Sequence, residues 1–291
     1  MSEINNLTFP DFYGIGVQKA GTTWLHAQLR KHPTIYMPNL KEIQYFNHLY
    51  IKEHRSWTDE HRLNRINKML VHALEKDRID YNWIEYLAKC GKNKLTDEWY
   101  AHFFSLAKGR TIGEITPEYS LLPDEGIEHM VKLNPNAKFI LLLRHPVERD
   151  FSHAKMILDR QGKFEQNASG QNSTVLEQQI LEVLGYRGVY ERSDYKTIIE
   201  RWKRVLPKEE NLYIGFYDWI KERPQQLLEE ICNFIGCKYD EEYFQETDKV
   251  VFKGNSMKMT DTIRIKLLEQ HRETIKYINN EYGVSSGINW K

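Results

Sequence analysis

Gly14-Ile-Gly-Val-Gln-Lys-Ala-Gly-Thr-Thr23 is a phosphate-binding loop with its lysine displaced. The nucleoside-triphosphate loop reads G-x-x-x-x-G-K-[ST]: its backbone amides cradle phosphate, its lysine reaches the β- and γ-phosphates, and its hydroxyl holds Mg²⁺. Gly16 and Gly21 occupy the two glycine positions. Thr22 stands in the lysine position and Thr23 in the hydroxyl position, while the lysine has moved back into the loop as Lys19. The cradle for a 5′-phosphate is therefore kept and the grip on a γ-phosphate is lost. This points to a nucleotide whose 5′ end is not a triphosphate.

Working outward, Lys138-Phe-Ile-Leu-Leu-Leu-Arg144 is a short continuous apolar run, as expected of a strand buried on both faces of a parallel sheet. In triphosphatases such a strand typically ends in the aspartate that helps hold Mg²⁺. Here it ends in Arg144, and Ser152 follows on the next predicted helix. An arginine and a hydroxyl in place of a metal site suit a second, fixed phosphate bound without metal.

Val17-Gln-Lys-Ala-Gly-Thr-Thr-Trp24 resembles the 5′-phosphosulfate loop of sulfotransferases that use 3′-phosphoadenosine 5′-phosphosulfate (PAPS). Arg144-His-Pro-Val-Glu-Arg-Asp-Phe-Ser152 resembles their 3′-phosphate motif. Lys41-Glu-Ile-Gln-Tyr-Phe46 and Gly113-Glu-Ile-Thr-Pro-Glu-Tyr119 are similar to segments of the heparan-sulfate-type, carbohydrate branch. The resemblance runs from about Tyr13 to about Lys258 and is weakest over 48–108 and 160–185. One departure is His145, where the family commonly has an acidic residue or asparagine.

The resemblance implies a PAPS donor, PAP (3′-phosphoadenosine 5′-phosphate) as product, and no metal. Lys19, Ala20, Gly21, Thr22, Thr23 and Trp24 would meet the 5′-phosphosulfate; Arg144 and Ser152, with Tyr190, Lys253 and Gly254, would hold the 3′-phosphate side. Sulfuryl transfer needs position, a cation for the leaving phosphate oxygen and a base for the acceptor proton. Lys19 fits the second need. Glu42 matches the carbohydrate branch's catalytic glutamate, and His48 is the alternative, since the small-molecule branch uses a histidine. Lys41, Glu114, Thr116 and Tyr119 are candidate substrate-side residues. The expected acceptor is a hydroxyl, with a carbohydrate favoured and a small-molecule, lipid or polyketide alcohol as the alternative. A P-loop kinase and a non-catalytic nucleotide-binding protein are the rival classes.

Composition agrees with one α/β domain over 1–291. Lys+Arg and Asp+Glu both number 41, so no global basic field argues for nucleic acid or an anionic membrane. No apolar run approaches the length of a membrane span, and the first residues lack a basic-then-apolar leader, so a cytoplasmic location is expected. Cys90, Cys232 and Cys237 lack metal spacing and read as reduced structural thiols.

Strands are predicted at 12–17, 34–37, 111–116, 138–144 and 211–217, alternating with helices, which implies a parallel sheet covered on both faces. Residues 48–108 read as a helical insertion. Polar, glycine-bearing 160–173 reads as an exposed lid loop. The C-terminal pattern predicts one helix over 261–281, stopped by Gly283.

Overall fold

The computed structural model describes residues 7–92, 94–166, 173–247 and 257–291. Its centre is a five-stranded sheet of β1 (Phe12–Gly16), β2 (Ile35–Tyr36), β3 (Thr111–Ile115), β4 (Lys138–Leu143) and β5 (Leu212–Phe216). The order is β2-β3-β1-β4-β5, and every adjacent pair is parallel. All five expected strands are present. β1 is buried along its whole length, and β4 from Phe139 to Leu143, so neither alternates between wet and dry faces. Helices cover both faces, as a parallel sheet requires.

This strand order fixes the site. The chain leaves central β1 for β2 and β3 on one side, then crosses to β4 and β5 on the other. In open α/β sheets the crevice beyond the strands' carboxyl ends at such a reversal is where ligands bind. Residues 17–21 follow β1, 37–44 follow β2, 116–119 follow β3, Arg144 follows β4 and Tyr217 follows β5. Every candidate segment but the late ones thus arrives at one end of the sheet.

The insertion over 48–108 is helical, with Arg55–Leu74, Tyr81–Gly91 and Asp97–His102. Asp80 and Thr96 cap two of these helices through their side chains. Two expectations change. Residues 163–166 form a short helix rather than loop, and the rest of the proposed lid, 167–172, lies outside the described residues. The predicted C-terminal helix is two, Asp261–Gln270 and Arg272–Ser286, divided at His271. The second runs past Gly283 and stops at Gly287, whose φ is 72°.

Gly236 closes the helix Pro224–Ile235 in the left-handed conformation, with φ 78° and Cys237 N–H donating to the Cys232 carbonyl at 2.8 Å. A Cβ there would meet nothing within 4 Å. Gly236→Ala therefore isolates backbone strain, and a loss of about 1 kcal/mol is expected in urea denaturation. Unchanged stability would contradict that account of the cap.

Candidate active site

The loop after β1 turns on two glycines. Gly21 caps the helix Thr22–Leu29 at φ 89°, and a Cβ there would come within 2.3 Å of Ile220 Cδ1 and 3.2 Å of Tyr217. Both conformation and space demand glycine. It offers no capping oxygen, so no side chain caps the helix's first N–H groups at its positive end. Thr22 is buried and Thr23 exposed. Trp24 is buried, and its indole N–H donates to the Thr247 carbonyl at 2.9 Å. Its side chain therefore packs and anchors, while its amide belongs to the first turn.

Lys19 sits at φ 72°. Burial, then the charges of Arg144, Arg160, Lys155 and Arg149, push its ammonium down to about 8. Arg144 donates to the Lys19 carbonyl at 3.2 Å and lies 4.5 Å over the Tyr217 ring. One arginine thus braces the loop from β4 while facing the same electropositive crevice. Ser152 is half-buried one turn before Lys155, both on the helix Pro146–Arg160. Ser152 and Lys155 share a helix face by their three-residue spacing. Arg160, Lys155 and Arg149 extend the expected site; that spacing was the available signal for Lys155.

Beneath this face lies a buried network. Arg149 and Asp150 pair fully out of solvent. Asp150 also meets His271 Nε2 at 2.7 Å and accepts from Ser193 Oγ at 2.6 Å. Arg149 donates to the Val189 carbonyl at 2.6 Å. The network ties the motif helix to the segments at 189–193 and at the His271 break. Tyr190 is exposed and stacks on His271 at 5.7 Å. His145 is held by Trp290, at 5.5 Å between rings, and by the Lys291 carbonyl, 3.1 Å from Nε2. The departure at 145 is thus absorbed by the C-terminal residues, while Tyr195 OH donates to the Arg144 carbonyl at 2.6 Å.

On the other side of the crevice, Lys41 Nζ donates to Thr23 Oγ1 at 2.8 Å and pairs with Glu42 at 3.0 Å. The lysine therefore links the two loops. Glu42 is part-exposed and adopts φ 62°. Glu114 is buried below the loop and accepts from Tyr100, from Thr116 at 2.7 Å and from Tyr119 at 2.9 Å. Burial pushes its carboxyl up to about 6 against those hydrogen bonds. Tyr119 OH also accepts from Tyr45 N–H at 3.2 Å. Glu114, Thr116 and Tyr119 are thus a floor under the Glu42 loop rather than an open lining. His48 is turned into the insertion, 2.6 Å from Thr58 Oγ1 and 3.4 Å from Asp59. Burial lowers its proton affinity. Lys253 and Gly254 lie outside the described residues.

Among the described residues no group of three or more His, Cys, Asp or Glu could hold a metal ion, and no helix is long and apolar enough to cross a membrane. The three cysteines are buried and free.

A parallel sheet with a glycine-flanked, lysine-bearing loop after β1 and an arginine after β4 is a P-loop-like architecture. The sulfotransferase family model matches residues 10–241, and the chain belongs to that family. It is 34% identical over 146 residues to a membrane-associated sulfotransferase, kil1, of Dictyostelium discoideum; the match covers 50% of this chain and 22% of that much longer protein. The fold resembles a sulfotransferase of Alicyclobacillus acidocaldarius with a TM-score of 0.59 and 21% identity, over 94% of this chain and 96% of that one. It also resembles the sulfotransferase domain of the curacin biosynthetic pathway, with a TM-score of 0.54 and 16% identity, over 89% and 83%. A mouse sulfotransferase complexed with PAP aligns at 0.50 and 13% identity, over 95% and 89%. The chain is an enzyme, a sulfotransferase.

Proposed function

We propose that this sulfotransferase takes its sulfuryl group from PAPS and delivers it to an acceptor hydroxyl, with a carbohydrate favoured. The observation that carries the donor reading is the crowding of cations on Lys19. Burial first, and then the charges of Arg144, Arg160, Lys155 and Arg149, lower its proton affinity, and Arg144 donates to the Lys19 carbonyl at 3.2 Å; cations brought together in this way fit a ligand with a phosphosulfate at one end and a 3′-phosphate at the other. The mouse protein of the same fold is complexed with PAP. The acceptor reading rests on Lys41-Glu42 and Glu114-Ile-Thr-Pro, which resemble the carbohydrate branch.

In this chemistry the S–O bond to the phosphate breaks and an S–O bond to the acceptor forms. Lys19 stabilises charge on the departing phosphate oxygen. The first-turn amides from Thr22 hold the 5′ end, and Arg144 with Ser152 holds the 3′-phosphate. Glu42 takes the hydroxyl proton. Lys41, bonded to both Thr23 and Glu42, fixes the base relative to the donor loop.

The test is thermal unfolding with PAP, 5′-AMP, ADP and Mg²⁺-ATP at matched concentration. PAP at about a hundred times its dissociation constant should add about 2.7 kcal/mol of stability without metal. Stabilisation by 5′-AMP equal to that by PAP would remove the 3′-phosphate site, and stabilisation by Mg²⁺-ATP alone would return the kinase reading.

A further inference from the structure

Lys19 and Glu42 sit on loops that follow different strands, yet one side chain touches both loops. Gln18 Nε2 donates to Glu118 Oε1 at 3.0 Å, and Gln44 Nε2 donates to Glu118 Oε2 at 3.3 Å. Gln18 immediately precedes Lys19, and Gln44 stands two residues after Glu42. Resting on the reading of Lys19 and Glu42 just given, we infer that Glu118 is a positioning residue whose two carboxylate oxygens lock the donor loop to the acceptor-side loop.

The surroundings favour a rigid lock. Glu118 is 3% exposed and Gln44 1%. The turn carrying Glu118 is pressed under the donor loop: a Cβ on Gly16 would lie 2.8 Å from the Pro117 carbonyl oxygen and 2.8 Å from Ser120 Cβ. On the acceptor side, buried Arg62 donates to the Gln44 carbonyl at 2.8 Å. Lys19, Glu42 and Gln44 all have left-handed φ, at 72°, 62° and 60°. Such conformations persist in non-glycine residues only where neighbours over-determine them. Glu118 supplies that constraint to both loops at once. Its charge is faced by buried Arg192, of opposite sign, and by Glu42, of like sign.

Two substitutions separate the lock from bulk packing. An amide at 118 can still accept from one glutamine and donate to the other if that glutamine's amide turns over, because amide oxygen and nitrogen are nearly isosteric. Glu118→Gln should therefore preserve the lock. Glu118→Leu removes both bonds and strands the amides of buried Gln44 and half-buried Gln18. Hydrogen exchange in the ligand-free enzyme should rise at least about tenfold at both 17–22 and 38–46 in Glu118→Leu, and stay near wild type in Glu118→Gln. Gln44→Met, which cuts one arm, should loosen 38–46 alone, and it serves if Glu118→Leu does not fold. With PAP as the probe, protection should begin at 17–22 and spread to 38–46 in wild type and Glu118→Gln; in Glu118→Leu it should stop at 17–22.

Wild-type exchange in Glu118→Leu, or loosening of 38–46 equal in Glu118→Gln and Glu118→Leu, would overturn the lock. Absence of PAP protection anywhere in the wild-type enzyme would instead overturn the donor reading, and the ligand-free comparison would still decide the lock.

Discussion

Lys19→Ala is expected to lower kcat by ~10²–10³-fold while leaving the protein folded and able to bind PAP. The charge at Lys19 acts on an oxygen that gains negative charge only as the S–O bond breaks. It therefore favours the transition state over the ground state, and its loss appears in kcat. Arg144, Lys155 and Arg160 remain to hold the product. The lysine also predicts a pH dependence. It is pushed down to about 8 from the ordinary 10.5 by burial and by like charges, so an incoming anion restores its proton. PAP affinity of the wild-type enzyme should fall as pH rises above 8, with proton uptake on binding above that point. The stability sign is opposite. Between 8 and 10.5 the unfolded chain holds the lysine proton more tightly than the fold does, so ligand-free stability rises with pH across that window. Lys19→Ala should flatten both trends. Calorimetric titration with PAP on either side of pH 8, beside steady-state turnover on the acceptor that wild type sulfates, checks the set. A kcat within about tenfold of wild type would remove Lys19 from its assigned role.

The strands were legible because burial leaves a local mark: Phe139–Leu143 is a short continuous apolar run, as a strand covered on both faces needs. Loop glycines were legible for a similar reason, since Gly21 answers a constraint met within a few residues. The break at His271 was not. The apolar stripe over 261–281 continues through it, while the interaction that accompanies the break is a bond to Asp150, 121 positions away. The lock at Glu118 was hidden in the same way. Its partners lie 100 and 74 residues distant, and glutamine and glutamate in a loop carry no periodicity. The motif did point to Glu114, Thr116 and Tyr119, but motif membership cannot distinguish a residue that lines a crevice from one that builds its floor. Tyr45, whose N–H donates to Tyr119, shows how that floor carries the loop above it.

Glu42→Gln is expected to lower kcat by ~10²–10⁴-fold, with PAP affinity unchanged. The side chain keeps its size and can still accept from Lys41, so the loss isolates proton transfer from position. A purely structural Glu42 would be one that only pairs with Lys41, at 3.0 Å. Two features oppose that account. Lys41 already has Thr23 as a partner at 2.8 Å, and a non-glycine residue at φ 62° costs the fold stability and persists only where its surroundings hold it. Outliers of this kind gather where function holds them. Turnover separates the possibilities: Glu42→Gln should lose rate with the KM for the acceptor and the affinity for PAP both unchanged. If Glu42→Gln instead kept its kcat and Lys41→Met shifted the KM for the acceptor, the pair would be a substrate clamp, and the base would have to be sought elsewhere.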